Sequence, residues 1–256
     1  MRENRISIRA LMVLAAELGA EHFYGVRDPF LMMDADEIRA AYELCLDELE
    51  RAEIITRQLE GISVVRDDLR RHIQICMDCD RYLTKDAISA GHELPSYVFY
   101  RRDEQWVCLR REGDMACLVD SSAEAAADEA LEHLMHSCGA AQPVPAQIEW
   151  NITNQTIQHC LLSAKEGHAE LLAGGMPEDA AELLVKGLER QCCYCCINAV
   201  DLNARTLESV CLVYDSQGIL QLSPVDSETA DWVVQRQTPE QVQQRLFAIV
   251  QKGAAE

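Results

Sequence analysis

The spacing of hydrophobic and polar positions predicts the same succession of elements in two parts of the chain. From 192 to 225 it indicates three strands of an antiparallel meander, then a short strand at Trp232 to Gln235 and a closing helix from Thr238. A shorter copy lies earlier, with three strands and a helix predicted at 97–100, 105–110, 115–120 and 121–137. A meander followed by a helix, occurring twice, predicts an α+β fold with two pseudo-symmetric halves.

The first part of the chain has the pattern of helices instead. Apolar residues recur every three or four positions in 6–18 and again in 38–49, where Asp34 and Glu37 form a predicted capping box. The pair at 60–61, Glu-Gly, is typical of a two-residue turn, and a third helix follows it. Two helices, a small hairpin and a helix resemble a winged-helix unit, although a helical subdomain with an incidental hairpin has the same pattern.

The best domain boundary in the sequence is GAAQPVP at 139–145, which is rich in small residues, contains proline and lacks periodicity. We therefore predict a helical, winged-helix-like unit at 1–92 and the first meander with its helix at 93–139. A helical pair, the second meander and the closing helix are predicted at 146–256. We expect these parts to form one compact body.

The charge balance excludes two classes of partner. The 43 acidic and 23 basic residues give a formal net charge of −20, which repels nucleic-acid phosphates and anionic membrane surfaces. The predicted second helix, which a DNA-binding winged helix would present to DNA, is itself mostly acidic. We predict neither a nucleic-acid nor a membrane partner.

The N-terminal apolar run has some features of a secretory signal, because arginines precede Ala10 to Ala16. The run is short, however, and Glu17 ends it, so that an amphipathic helix is the better interpretation. No stretch approaches the roughly 20 apolar residues that a membrane-spanning helix needs. A cytoplasmic location is expected.

Most of the 12 cysteines lie inside apolar periodic segments, as small buried residues do. Cys76 and Cys79 form a CxxC pair and are weak candidates for metal ligands. A second pair could come from 192–196, but strand alternation sends the members of each such pair to opposite faces. We therefore predict no metal site and no cofactor.

Since the chain has none of the phosphate-binding, nucleophile-elbow or metalloprotease motifs, we also predict that it is not an enzyme. An enzyme using an unmarked cysteine stays an alternative.

Four aromatic residues of the first meander are candidates for binding a partner: Tyr97, Phe99, Tyr100 and Trp106. Alternation puts Tyr97 and Phe99 on one face of the sheet and Tyr100 on the other. One face suffices for an intramolecular core, so the other could dock a partner. The alternative is that helices cover both faces.

Three stretches of this layout are similar to a known family. The opening helix ends in LG before an aromatic-proline loop (AELGAEHFYGVRDPF), two meander-plus-helix units follow, and the chain closes on WVVQRQTPEQVQQRLFAIV. This order resembles the EspG-type chaperones of bacterial type VII secretion, and most their counterparts outside mycobacteria. The cysteine richness and the winged-helix-like unit depart from the mycobacterial members.

The resemblance implies a cytosolic, non-enzymatic protein with a quasi-two-fold α+β fold. Such proteins bind helical-hairpin substrates and keep them soluble until the secretion ATPase takes them. A helical secreted client of the WXG or LXG type is therefore the expected partner. The alternative function is a winged-helix-related regulatory protein without strong affinity for DNA.

Overall fold

The computed structural model describes residues 5–57, 63–89, 92–137, 149–189, 191–216, 218–225 and 231–252. The chain divides into two compact units. Unit 1 comprises Met1–Thr84, Pro95–Ser122 and Val200–Thr206, and unit 2 comprises Lys85–Leu94, Ala123–Ala199 and Leu207–Glu256. The predicted turn at 60–61 and the predicted boundary at 139–145 lie outside the described residues, and the three-part division of the sequence stays a prediction.

Helices and antiparallel strands are mixed along the whole described chain, which confirms the predicted α+β class. In chain order the elements are β1 (Arg5–Ser7), α1 (Ile8–Glu17), α2 (Ala35–Arg51), β2 (Ile55–Arg57), β3 (Ser63–Val65), α3 (Asp67–Met77), β4 (Arg81–Ser89), β5 (His92–Glu93), β6 (Ser96–Arg102), β7 (Gln105–Glu112), β8 (Met115–Ser121), α4 (Ala123–Ser137), β9 (Glu149–Ile152), α5 (Asn154–Leu162), α6 (Ala164–Ala173), α7 (Glu178–Leu188), β10 (Cys193–Asp201), β11 (Thr206–Asp215), β12 (Gly218–Pro224), β13 (Trp232–Gln237) and α8 (Pro239–Gln251).

The sheet of unit 1 runs in the order β1-β8-β7-β6, with antiparallel neighbours and with the start of β4 beside β6. Across β6 and β7, Val98 pairs with Leu109 and Tyr100 with Val107, and all four side chains enter one hydrophobic core. The predicted meander is therefore confirmed, and its register puts alternate residues on a buried face.

Helices α1, α2 and α3 supply the other side of this core. Helix α1 buries six of its ten residues, so it lies deep against the sheet, whereas α2 buries only Ala41, Cys45 and Leu49. The predicted capping box of α2 is confirmed, because the Asp34 side chain accepts from Glu37 N and the Glu37 side chain accepts from Asp34 N. Strands β2 and β3 pair as the predicted small hairpin between α2 and α3.

Unit 2 repeats the combination of an antiparallel sheet and helices. Its strands run in the order β10-β11-β12-β13-β9, and Val213, Leu220, Val234 and Trp150 reach a core shared with α5, α6 and α7. The predicted closing helix is α8, and the side chains of Thr238 and Gln241 form a capping box at its start, with Pro239 at its first position. Among the described residues, no helix is both long and apolar enough to cross a bilayer.

Four strands and one helix break differ from the sequence-based expectations. The sequence patterns predict none of β1, β4, β5 and β9, because β1, β5 and β9 are too short to show a period and β4 is interrupted by charged residues. The pattern of 153–173 predicts one helix, the first of the helical pair, but the segment forms the two helices α5 and α6, since Ser163 adopts extended dihedrals (φ −151°, ψ 96°). Gly167 then lies so close to α5 that a Cβ there would be 2.4 Å from the Cys160 Cα.

Candidate partner-binding site

The four aromatic residues predicted to bind a partner are all buried. Phe99 and Tyr100 are fully buried, and Tyr97 and Trp106 are each 8% exposed. The Tyr100 hydroxyl donates to the Tyr24 carbonyl oxygen at 2.6 Å, and the rings of Tyr97 and Phe99 stack with centroids 6.0 Å apart. In this conformation they offer little surface to another protein, and their role in partner binding stays a prediction.

Cys76 and Cys79 are also core residues. Cys76 lies in the last turn of α3 and is fully buried, and Cys79 follows the helix and is 6% exposed. Burial raises the pKa of the Cys76 thiol well above its ordinary value and that of Cys79 to about 12, so both are protonated at neutral pH. The described residues contain no group of three or more His, Cys, Asp or Glu side chains placed to hold a metal ion.

A groove in unit 1 is a better candidate for binding. It encloses about 400 Å³ between α2, the start of α1 and the loop before α2. Its α2 side comes from positions 41, 44, 45 and 48, which share one helix face because they are three, four and seven residues apart. The full lining is Ser7, Ile8, Arg9, Pro29, Ala41, Leu44, Cys45, Glu48 and Asp114.

Hydrogen bonds hold Glu48 and Ser7, two of the residues that line this groove, in place. The two carboxylate oxygens of Glu48 accept from the Ser7 backbone N–H at 2.7 Å and from the Ser7 hydroxyl at 2.8 Å. Ser7 Oγ in turn accepts from Ala10 N at 3.1 Å, which caps α1. Ile8 N donates to the Asp114 carbonyl oxygen at 2.8 Å, so the strand-to-helix junction is tied to the β7–β8 turn.

Large apolar side chains of α2 and of the loop before it are exposed. Leu44, which lines the groove, is 66% exposed, and Ile38, six residues earlier on α2, is 37% exposed. The loop that contributes Pro29 continues into Leu31 and Met32, which are 65% and 87% exposed. A turn holds this loop, because Phe30 N donates to Asp28 Oδ1 and Met33 N to the Phe30 carbonyl oxygen. We call Leu31, Met32, Ile38 and Leu44 the apolar rim.

The apolar rim lies in acidic surroundings. Helix α2 carries six carboxylates and two arginines, and the groove lining adds Asp114 and Arg9. The guanidinium nitrogens of Arg57 lie 3.7, 2.6 and 3.8 Å from carboxylate oxygens of Glu43, Asp47 and Glu50, which are three of those six. Burial, followed by Glu48, raises the pKa of the Cys45 thiol in the groove, so that this cysteine is a small neutral side chain there.

A second exposed apolar pair lies in unit 2, at the end of α5. Leu161 is 57% exposed and Leu162 is 84% exposed, directly before the break at Ser163. The sequence patterns pointed to neither this pair nor the groove. The available signal was the run of five apolar residues PFLMM at 29–33, outside any predicted helix.

Comparison of the whole structure with solved structures finds a similar fold. The Mycobacterium tuberculosis type VII secretion system chaperone EspG5, in its complex with the PE25–PPE41 dimer, matches with a TM-score of 0.66 over 97% of this chain and 96% of that chain. This chain has the fold of EspG5. The sequences are 14% identical, and neither family models nor curated proteins give a match. The predicted resemblance to EspG-type chaperones is thus confirmed for the fold.

Proposed function

We propose that the protein is a cytoplasmic, non-enzymatic chaperone or adaptor of a type VII secretion system that binds a helical secreted client before export. One observation carries this proposal: the fold matches that of the chaperone EspG5 over nearly the full length of both chains. A partial match could come from a widespread supersecondary unit, whereas this one includes the helices and strands of both units. Binding is therefore the function that the fold supports best.

The groove and apolar rim of unit 1 are proposed as the surface that grips the client. The groove encloses about 400 Å³, and α2 and the loop before it, which line the groove, carry the four exposed apolar side chains of the apolar rim. Such side chains would supply the hydrophobic part of an interface. A client helix would place side chains spaced three, four and seven residues apart into the groove, against Leu44 and Pro29.

The charges around the groove limit the client chemistry. Six carboxylates and two arginines on α2 favour a helix whose apolar stripe is flanked by lysine or arginine, and disfavour an acidic flank. The same charges disfavour the regulatory alternative, because α2 would repel DNA phosphates. We therefore propose an amphipathic helical hairpin of the WXG or LXG type, with a basic flank on the helix that enters the groove.

The direct test is co-expression with a defined client. The chain would be produced in a heterologous bacterial host together with each WXG- or LXG-type protein encoded by its own genome. We expect one such protein to remain soluble only when co-expressed and to co-elute with the chain as a complex of defined mass by light scattering. If every candidate behaves the same with and without the chain, the chaperone proposal is wrong.

A further inference from the structure

Two cysteines of unit 2 approach each other across neighbouring strands. Cys196 on β10 and Cys211 on β11 have sulfur atoms 3.3 Å apart. A disulfide bond is about 2.0 Å long, so the two sulfurs need to move together by roughly 1.3 Å. Side-chain rotation about Cα–Cβ provides such a shift, and 15 residues separate the two cysteines along the chain.

The surroundings of Cys211 differ from those of four other described cysteines. Cys211 is 9% exposed and lies in the core, while Cys196 is partly exposed. Hydrogen bonding by the Cys196 thiol lowers the pKa of Cys211, and Tyr194 lowers it further, against an opposing effect of burial. The thiols of Cys76, Cys79, Cys160 and Cys192 have raised pKa values because burial disfavours their charged form.

Neighbouring polar groups fix the partly exposed member of the pair. The Cys196 thiol also lies 3.8 Å from Asn198 Oδ1, and the Ser209 hydroxyl donates to that same oxygen at 2.7 Å. Asn198 is therefore held from β11 and contacts the Cys196 thiol on its own strand. Because the two sulfurs already lie close together, a bond between them is favoured over a bond to a cysteine of another molecule.

We propose that Cys196 and Cys211 are an oxidation site that forms a reversible cross-strand disulfide with hydrogen peroxide as oxidant. The thiolate of one cysteine attacks a peroxide oxygen, the O–O bond breaks, and the departing hydroxide takes a proton to leave as water. The resulting sulfenic acid is then attacked by the sulfur of the other cysteine, which loses its proton as the S–S bond forms and a second water leaves. Two thiols are oxidised and one peroxide is reduced.

The test uses the native full-length chain and hydrogen peroxide itself. Protein treated with peroxide is alkylated while unfolded, digested without reduction, and analysed by mass spectrometry. We expect the peptides containing Cys196 and Cys211 to appear linked, with the loss of two hydrogen atoms, and to return to two alkylated peptides after dithiothreitol. Alkylation of both cysteines to the same extent as in untreated protein would overturn the proposal, as would linkage of either cysteine mainly to a different one.

Matched variants separate this pair from general cysteine oxidation. Cys193→Ala removes a partly exposed cysteine three residues away on the same strand, and we expect it to leave the 196–211 linkage intact. Cys196→Ala and Cys211→Ala each remove one partner, and at least one of the two variants should hold the remaining cysteine as a sulfenic acid that a dimedone probe captures. Failure of dimedone to label the remaining cysteine in both folded variants would contradict the proposed sulfenic acid step. This site is independent of the client groove, which lies in unit 1.

Discussion

Ser7, at the start of α1, both caps this helix and binds the Glu48 side chain of α2. Its hydroxyl oxygen accepts from Ala10 N, which satisfies one N–H of the first helical turn, and the same hydroxyl donates to Glu48 of α2. Its backbone N–H donates to the second oxygen of the Glu48 carboxylate. One residue thus caps α1 and positions the side chain that forms part of the groove floor.

Replacement of this hydroxyl is expected to be costly. Ser7→Ala should lower the free energy of unfolding by about 1–2 kcal/mol, because it removes an N-cap and leaves the Glu48 carboxylate short of one donor. Urea unfolding followed by circular dichroism measures the change. Ser7→Thr keeps the hydroxyl and should retain most of the stability, so an equal loss in both variants would contradict the capping explanation.

A second residue-scale prediction concerns Asp179 in the first turn of α7. Arg236 Nη2 donates to its carboxylate at 2.5 Å, and this hydrogen bond lowers the pKa of Asp179 in the folded protein. The unfolded pKa is about 3.9, so the stabilisation is complete above that value and is lost as the pH falls through the lower folded pKa. Since the Asp179 side chain is 53% exposed, the contribution should stay below about 1 kcal/mol.

Asp179→Asn tests this sign directly. The variant should be slightly less stable than the wild type at pH 7, and the difference should shrink as the pH falls below about 4, because the wild-type carboxyl is then protonated. Urea midpoints at several pH values measure it. A difference that grows towards low pH would show that Asp179 does not act through its charge.

At the scale of elements, α7 lies against β11 at a glycine. A Cβ built on Gly187 would lie 2.2 Å from Val213 Cγ1, so the close approach requires the missing side chain. Helix propensity alone would favour alanine by about 1 kcal/mol, but the steric overlap in a packed core outweighs it.

Gly187→Ala should therefore destabilise the protein by roughly 1–3 kcal/mol despite the better helix former. Val213→Ala opens the required space, so the double variant should be more stable than the sum of the two single effects predicts. Thermal and urea unfolding of the four proteins measure the coupling. Gly174→Ala is the control, because its nearest atom would lie 3.4 Å away and only a small effect is expected. Additive effects at 187 and 213 would refute the steric account.

Elements with strong periodicity could be predicted from the sequence, and those set by tertiary contacts could not. The strands of both meanders and the caps at Asp34 and Thr238 follow local pattern and local chemistry. By contrast, β1 exists because Ile6 pairs with Ala116 of β8, a partner 110 residues away. The break at Ser163 depends on how Gly167 packs on Cys160, which no local spacing shows.

The candidate site also depends on tertiary contacts that the sequence pattern does not show. Alternation placed Tyr97 and Tyr100 on opposite faces, but it could not reveal that both faces are buried. The groove combines residues from 7 to 114, and it arises only once α2, the loop at Pro29 and the β7–β8 turn meet. The local clue was an apolar run at 29–33 outside any predicted helix.

At the scale of the whole molecule, the net charge of −20 should govern association with a client. If the client presents lysine and arginine beside its apolar stripe, attraction accelerates the encounter and is screened by salt within about 8–10 Å. We expect the association rate with a purified client to fall several-fold between 50 and 500 mM salt, with a smaller change in the dissociation rate. Stopped-flow or surface plasmon measurements give both rates. An association rate that is insensitive to salt would contradict the basic-flank proposal.

The central claim is that the fold serves to grip a helical client through the groove of unit 1. The most direct measurement compares the affinity of a co-purified client for wild type, Leu44→Asp and Leu207→Asp by isothermal titration calorimetry. Leu44 and Leu207 are 66% and 64% exposed, so both substitutions should leave the fold intact and differ only in location. The account predicts at least about tenfold weaker binding for Leu44→Asp and wild-type affinity for Leu207→Asp. Wild-type affinity in Leu44→Asp would contradict it.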